Sequence, residues 1–436
     1  MNILLTAINA KYIHSNLAVY SLRACAGEYR DAVELAEYTI NNQKDYILEE
    51  LYKRKPDVLC FSCYIWNIDY VTDIAREYKK LCPSVPIWVG GPEVSYEVEA
   101  FLRENPYIDG VMIGEGEDTF RELCGYYARK RKLSDIAGIA FRKNSTGNST
   151  SNSTSVNNIG GNKAGEIVFT SPRPIKNMSE IPFCYDTLDD FSNRIIYYES
   201  SRGCPFSCSY CLSSVDKTLR FRDTRIVKRE LKFFIDQKVP QIKFVDRTFN
   251  CNHAHAMELW RFIKANDNGV TNFHFEISAD LLREEEMELM SQMRPGLIQL
   301  EIGVQSTNPE TIRAIHRHMD LKKLEHCVNR VHSFRNIHQH LDLIAGLPYE
   351  DYESFGKSFD DVYALEPEQL QLGFLKVLKG SYMYEHAKEY EAVYRAKPPY
   401  EVLRTKWLSY EDICNIKLAE EMLEVYYNST QFPVSI

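Results

Sequence analysis

No apolar run in this sequence is long enough to cross a bilayer. The longest nearly uncharged stretch, Val58 to Ile68, ends well short of the ~18 residues a spanning helix needs. Met1 to Ile8 form a short apolar run with no basic segment before it and no small-residue cleavage pattern after it, so a secretory signal is not supported. Positive charge is also scarce: 52 Lys+Arg stand against 61 Asp+Glu, a formal net charge of -9. This argues against a broad basic surface and makes nucleic acid a poor partner for the chain as a whole. The compositional extremes of disordered or disulfide-stapled chains are missing too. With 44% hydrophobic and 26% charged residues over 436 positions, the chain can bury a core unaided, and its length predicts two or three domains. The expected compartment is the cytoplasm, where the 12 cysteines serve as core residues, ligands or catalysts rather than disulfides.

What is present begins with alternation. Ile3 to Ile8, Val33 to Ile40, Val58 to Ile65, Ile87 to Val89 and Gly110 to Ile113 read as strands. Asp45 to Lys53, Tyr70 to Leu81 and Glu117 to Tyr127 read as amphipathic helices between them. This predicts an α/β fold with a doubly wound, Rossmann-like parallel sheet over residues 1–135. Its fourth and fifth strands end in Gly90-Gly91-Pro92-Glu93 and Gly114-Glu115-Gly116-Glu117. Glycines at the carboxyl edge of such a sheet let a large ligand approach the backbone, and Ser62 and Tyr64 lie at the same edge after the third strand.

Residues 136–190 read as a linker. Ile136 to Arg142 and Glu166 to Thr170 would pair as a hairpin around Asn144 to Asn162, where 17 of 19 residues are Asn, Ser, Thr or Gly; that stretch is too polar to bury and is expected to be disordered. Asn-Ser-Thr triplets at Asn144, Asn148 and Asn152 match the glycosylation pattern, but without a secretory route they count as composition only. Over residues 191–395 six further strands alternate with helices, which predicts an open six-stranded (β/α)6 partial barrel with its chemistry at the carboxyl ends of the strands. In the tail, 396–436, Ser409-x-x-Asp412 is a capping box, and Ile413, Ile416, Ala419, Leu423 and Tyr426 continue one closing helix.

The residues that point to chemistry follow the first barrel strand: Cys204-Pro205-Phe206-Ser207-Cys208-Ser209-Tyr210-Cys211. A chance C-x3-C-x2-C is expected only roughly 0.01 times in a chain of this cysteine content. Structural zinc takes paired C-x2-C halves with four protein ligands, and no second pair exists here. Three thiolates on one loop suit a polynuclear iron-sulfur centre with one iron left open.

This loop resembles the signature of the radical S-adenosylmethionine superfamily. The resemblance implies a four-iron cluster held by Cys204, Cys208 and Cys211, whose open iron chelates S-adenosylmethionine and whose electron cleaves it to methionine and a 5'-deoxyadenosyl radical. Phe275-Glu276-Ile277, Gly303-Val304-Gln305-Ser306 and Asp342-Leu343-Ile344-Ala345-Gly346-Leu347-Pro348 look like segments of the coproporphyrinogen-oxidase-like branch. By that likeness Glu276, Gln305, Arg317 and Asp342 contact the methionine or ribose groups and Tyr210 lies beside the adenine. Val245-Asp246-Arg247 stands where the family has Gly-Gly-Glu, which makes Asp246 the candidate there. The amino-terminal sheet is similar to the cobalamin-binding domain of the cobalamin-dependent subgroup. That implies corrin contacts from Ser62, Tyr64, Gly90, Gly91, Pro92, Glu93, Gly114, Glu115 and Gly116. The Asp-x-His-x-x-Gly loop that supplies an axial histidine is absent, so cobalamin is expected without a histidine ligand; His14 reads as a solvated residue at a helix start.

Cys60 and Cys63 lie in a continuous apolar strand and read as core thiols, and Cys251 reads as packing. Tyr64 and Trp66 read as aromatic packing, on a corrin or on protein. The expected function is a cobalamin-dependent radical enzyme acting on a small molecule, by methyl transfer or ring rearrangement, with an electron donor such as flavodoxin or ferredoxin. A cobalamin-independent radical enzyme acting on RNA or inserting sulfur, and a non-catalytic iron-sulfur redox protein, are the rivals. No residue is singled out as catalytic.

Overall fold

The computed structural model describes residues 1–143 and 165–431. The Asn/Ser/Thr-rich segment and its three triplets fall outside them. The described chain forms two compact units, Met1–Lys176 with Glu180–Arg194, and Asn177–Ser179 with Ile195 onward.

In the first unit, β1 (Ile3–Asn9), β2 (Val33–Thr39), β3 (Val58–Ser62), β4 (Ile87–Gly90), β5 (Gly110–Met112), β6 (Ile139–Arg142) and β7 (Ile167–Phe169) make one sheet in the order β2-β1-β3-β4-β5-β6-β7. The first five strands are parallel, and β6 and β7 extend the sheet antiparallel, as the hairpin reading anticipates. Helices α1 (Leu17–Cys25), α2 (Lys44–Arg54), α3 (Ile68–Leu81), α4 (Val98–Glu104) and α5 (Glu117–Tyr127) connect them. The periodicity explains the packing. In α3, Ile68, Val71, Ile74, Ala75 and Tyr78 recur at helical spacing and bury one stripe, while β1 and β3 are buried along their whole length, as parallel strands covered on both faces must be. Cys60 and Cys63 sit in this core, and burial pushes both thiols up.

The second unit is a parallel six-stranded sheet in the order β15-β14-β13-β12-β11-β8. Its strands are β8 (Ile196–Tyr198), β11 (Gln241–Phe244), β12 (Asn272–Ile277), β13 (Ile298–Gln305), β14 (His338–Ala345) and β15 (Gln369–Phe374), with β9 (Ser201–Arg202) and β10 (Arg220–Phe221) as a short antiparallel pair. Helices α6 (Thr224–Asp236), α7 (His253–Ala265), α8 (Glu284–Ser291), α9 (Pro309–Ala314), α10 (Leu321–His332) and α11 (Tyr352–Tyr363) lie between the strands. Period-two alternation sets the two faces. Phe273, Phe275 and Ile277 are buried on one face of β12, while His274 and Glu276 share the other with Lys243, Glu301, His340 and Asp342 at matching register. Charges on that face are paired: Lys243 Nζ and His274 Nε2 both lie 2.8 Å from Glu301.

The tail carries α12 (Tyr382–Glu385), the pair β16 (Val393–Tyr394) and β17 (Val402–Arg404), and α13 (Tyr410–Met422), which starts with the expected capping box at Ser409 and Asp412 and continues as one wider turn over Leu423–Asn428. Asn428 uses its amide on the edge strand: Oδ1 accepts the Leu370 N–H at 3.0 Å and Nδ2 donates to the Leu370 carbonyl at 2.8 Å.

Two glycines at the sheet edge of the first unit differ in what they need. Gly91 has φ +118 and a Cβ there would sit 2.4 Å from the Cys63 carbonyl oxygen, whereas Gly114, with φ +76, has nothing within 4 Å. Gly91→Ala should therefore cost about 2 kcal/mol or more from clash plus strain, and Gly114→Ala about 1 kcal/mol from backbone strain alone. Urea unfolding of both variants checks this, and equal losses would show that the close approach at Gly91 is not what makes glycine necessary there.

Candidate functional site

The cysteine loop is built from its ends. After β8 the chain passes through Ser200 and Ser201 into the β9–β10 pair, and Gly203, at φ +90, lets the loop close: a Cβ there would lie 2.5 Å from the Thr218 carbonyl. A fully buried carboxylate fixes the start of the loop. Asp246, just past β11, accepts the Ser200 N–H at 2.9 Å, the Ser200 hydroxyl at 2.6 Å and the Ser201 hydroxyl at 2.6 Å. Because the Ser200 proton is spent on Asp246, His255 Nε2, 2.9 Å from the same hydroxyl, must be the donor. That requires a hydrogen on Nε2, and burial, which pushes His255 down to about 4, keeps the ring neutral at pH 7 in that tautomer. Burial pushes Asp246 up to about 6 against the pull of the serines. Asp246 therefore holds the loop, and its hydrogen bonds are made within the protein.

Within the loop Cys204 and Cys208 are buried, Cys211 is half-buried, and all 12 cysteines are free. Burial pushes the Cys204 thiol up, and the charges of Cys211 and Cys208 push it further. Among the described residues no three ligating side chains are gathered at metal-binding distance, but three cysteines on one loop, two of them acting electrostatically on the third, are a donor set that a shared cationic centre would satisfy, since metal ligation requires the thiolates. The loop therefore fits an iron-sulfur cluster.

The structure brings Tyr210, Gln305 and Arg317 together beside it. Arg317 Nη1 lies 3.7 Å from Cys208 Sγ and 3.4 Å from the Tyr210 hydroxyl, and Nη2 donates to the Gly303 carbonyl. Burial opposes the guanidinium charge, but Tyr210 and Cys208 hold it above its ordinary value. At the bulge between Gly303 and Gln305, Gln305 takes φ +74 and folds its amide over Gly303, where a Cβ would lie 2.2 Å from Nε2. Gln305 Oε1 and Arg317 Nε are buried with no hydrogen-bond partner. Strain and orphaned polar atoms in one place mark a site prepared for a polar ligand. Glu276 and Asp342 share the polar face of the sheet. Burial raises Asp342, which lies 3.1 Å from His340 Nε2, and pushes Glu276 up to about 7, with Arg247 opposing and Glu301 adding.

In the first unit the loops after β3, β4 and β5 are bonded into one ledge. Cys63 N–H donates to the Gly90 carbonyl at 2.7 Å, the Ser95 hydroxyl to Gly91 at 2.9 Å, and Gly114 N–H to Ser95 Oγ at 3.4 Å. Glu93 N–H reaches the Cys63 carbonyl at 3.4 Å, and Pro92 opens the turn between them. Ser62, Gly90, Gly91 and Gly114 are thus adjacent, with open space over Gly114. Glu115 accepts the Lys176 N–H at 3.3 Å and Gly116 lies against Leu22, so both are engaged within the unit. Tyr64 stacks on Trp66 with centroids 4.5 Å apart and planes 5° apart.

Sequence reasoning missed the polar residues beneath this ledge. Asn16 Nδ2 donates to Asn9 Oδ1 and to Ser62 Oγ, each at 3.3 Å, and Asn9 Nδ2 donates to Glu37 at 2.9 Å. The one available signal was Asn16 as the cap preceding Leu17. Ser200, Ser201, His255 and Thr248, whose hydroxyl lies 3.9 Å from Cys204 Sγ, were missed as well, because only the fold brings them to the loop.

Comparison with known proteins matches residues 3–124 to the B12 binding domain and residues 198–362 to the Radical SAM superfamily. The chain belongs to the radical S-adenosylmethionine superfamily, in its cobalamin-binding-domain-containing subgroup. A third match, over 388–436, is to a protein of unknown function (DUF4080). Among curated relatives, an uncharacterized methyltransferase of Pyrococcus horikoshii is 25% identical over 345 residues, 77% of this chain and 70% of the relative. The cobalamin-dependent radical SAM methyltransferase TokK of Streptomyces tokunonensis is 27% identical over 360 residues, 76% of this chain and 47% of TokK. A solved structure of the radical S-adenosylmethionine methyltransferase TsrM from Kitasatospora setae superposes with TM-score 0.68 at 18% identity, covering 91% of this chain and 78% of TsrM. This radical S-adenosylmethionine enzyme thus takes a four-iron cluster, S-adenosylmethionine and cobalamin as cofactors. No helix among its described residues is long and apolar enough to cross a membrane.

One pH-dependent loss of stability and one loss on substitution follow. Glu276 rises from 4.5 to about 7 on folding, so its contribution to stability is full below about pH 4.5 and is lost as pH rises through 7. Glu276→Gln should remove that slope, with the stability gap between variant and wild type changing by up to about 3 kcal/mol from pH 5 to 8 in urea titrations. Asp246→Asn replaces an oxygen acceptor with a donor facing serine donors and should cost about 2–3 kcal/mol at pH 7, together with loss of iron on reconstitution. Full iron retention would remove Asp246 from the support of the loop.

Proposed function

We propose that this enzyme methylates a small molecule at an unactivated carbon. The observation that carries the reading is the pairing, in one chain, of a buried three-thiol loop flanked by Tyr210 and Arg317 with a separate parallel sheet whose carboxyl edge is opened by glycines. When bound, the cluster and S-adenosylmethionine supply a carbon radical by one-electron cleavage of the sulfonium, and cobalamin supplies a methyl carrier.

The chain's own residues hold, orient and exclude water. Cys204, Cys208 and Cys211 ligate the cluster. Arg317, already donating toward Cys208, offers its unsatisfied Nε to the methionine carboxylate, for which a planar guanidinium is suited. Glu276 and Asp342 face the amino and ribose groups, and Tyr210 lies at the adenine. Glu276, which titrates near neutral pH, can also hold or release a proton when S-adenosylmethionine or substrate arrives. Asp246 acts on the loop through Ser200 and Ser201. On the amino-terminal sheet Gly90, Gly91 and Gly114 let the corrin approach the ledge, with Ser62 and the Tyr64–Trp66 stack at its rim. His14 offers its backbone carbonyl to Asn9 Nδ2, which ties its segment to the protein, and we assign it no cobalt ligation.

The remaining partners follow from the chemistry: a flavodoxin or ferredoxin to supply single electrons, and a reducing cytoplasm in which 12 free cysteines persist. The match spans under half of TokK, so the substrate is assigned here only as a small molecule.

Anaerobic reconstitution tests this. Wild type should bind about four irons, as three thiolates and an open corner imply, release 5'-deoxyadenosine when reduced with S-adenosylmethionine, and show corrin absorbance after mixing with hydroxocobalamin. Cys208→Ala should lose the cluster, and His14→Ala should leave the corrin spectrum unchanged. An intact cluster in Cys208→Ala would remove the basis of the reading. Cleavage without corrin uptake would favour a cobalamin-independent enzyme instead.

A further inference from the structure

Period-two alternation decides which way the turn after β11 faces. Ile242 and Phe244 are buried on one side of the strand, and Lys243 lies on the other. The extended pairing carries on past the strand's end, because Val245 N–H donates to the Tyr198 carbonyl at 2.9 Å. Asp246 thus falls on the side of Phe244, where the two serines hold it, and Arg247 falls on the side of Lys243, the polar face of the barrel. Its charge reaches that face: after burial itself, Arg247 is the largest influence on Glu276.

Arg247 is exposed, and among the described residues its side chain has no hydrogen bond or ion pair. The charges on the neighbouring strands are closed. Glu301 is met by Lys243 and His274, each at 2.8 Å, and Asp342 by His340 at 3.1 Å. Asp280, past β12, accepts the Ser278 hydroxyl at 2.7 Å and the Asp320 N–H at 3.2 Å. Glu199, past β8, is paired with Arg202 at 2.7 Å. The remaining carboxylate is Glu276, and burial pushes it up to about 7, so at neutral pH a large part of it carries no charge. Arg247 is left as an unmatched cation at the carboxyl end of a barrel strand, where barrel enzymes meet their substrates. The site's other guanidinium, Arg317, is already turned to Cys208, Tyr210 and Gly303 and takes the methionine carboxylate in the reading above. S-adenosylmethionine has no second carboxylate to offer, and its ammonium and sulfonium are repelled by a cation.

We propose that Arg247 is a specificity-determining residue that holds an oxyanion of the substrate, a carboxylate or a phosphate, so that the small molecule this enzyme methylates is an acid. The inference rests on the methyl-transfer reading and goes beyond it by naming the substrate's charge. A guanidinium meets either group with two parallel hydrogen bonds, which fixes the acid's orientation as well as its position.

The test uses the anaerobic holoenzyme, S-adenosylmethionine labelled in its methyl group, and extracts of cells that express the protein, separated by anion exchange into retained and unretained fractions. Wild type should transfer label to a compound in the retained, acidic fraction. In Arg247→Gln the apparent KM for that fraction should rise about tenfold, as loss of a charge-assisted pair does, with kcat changed far less. Arg247→Lys should recover part of the affinity, and Arg247→Glu should lose transfer from that fraction altogether. Iron content, corrin absorbance and the Kd for S-adenosylmethionine should match wild type in all three variants. Phosphatase treatment of the retained fraction tells the two anions apart: transfer is lost for a phosphate and kept for a carboxylate. Label found only in the unretained fraction overturns the proposal, and so does an unchanged KM in Arg247→Gln. A Kd for S-adenosylmethionine that weakens as much as KM also overturns it, because the guanidinium then serves the cofactor. Wild type that labels nothing in either fraction defeats the methyl-transfer reading instead.

Discussion

A carboxylate cut off from water has to be met by hydrogen bonds, and in this chain that requirement shapes the segment on which the chemistry depends. Asp246 cannot be left alone where it lies, so Ser200 and Ser201 must turn toward it, and in turning they set the direction in which the chain enters the cysteine loop. His255 is drawn into the same arrangement and held neutral, with its proton on one nitrogen. The glycine at 203 then closes the loop against Thr218. A flexible loop of thiols would pay for every conformation it gave up on binding iron. Here much of that ordering is complete within the folded chain.

The same contrast between an apolar and a polar face organises both units. In the amino-terminal sheet β1 and β3 are buried throughout, and near the carboxyl edge Asn9, Asn16, Glu37 and Ser62 bond to one another. In the second unit one face of each strand packs against helices and the other carries Lys243, His274, Glu276, Glu301 and Asp342. Most of these charges are paired, and Glu276, which has only burial and distant charges acting on it, is displaced farthest toward neutrality. Strain is concentrated at Gln305, whose left-handed backbone and unsatisfied amide oxygen lie beside Arg317.

Much of this was legible in the residues. Strand and helix alternation placed both sheets, the hairpin and the closing helix, because hydrophobic period is written locally. The three cysteines were legible because spacing that rare has few explanations. What was not legible depended on contact across the fold. Asp246 is the cofactor-contact candidate by likeness, and a sequence cannot show that two serines 45 and 46 positions earlier also bond to it. Gly91 reads as a glycine for ligand approach, and only the fold shows that the Cys63 carbonyl also leaves no room there for a Cβ. Gly114 alone of that pair opens onto space. Asn9 and Glu37 carried no signal at all, being ordinary polar residues at strand ends until the sheet brought them side by side.

An open barrel leaves its last strand with unmatched amides and carbonyls, an invitation to any extended peptide. At β15 the side chain of Asn428 answers both backbone groups of Leu370 at once, imitating a neighbouring strand with a single residue. A foreign strand seeking to extend the sheet would first have to evict that amide and unwind the end of the terminal helix. In the folded chain the tail thereby occupies the two backbone groups of Leu370 with which a neighbouring molecule's strand could begin to pair.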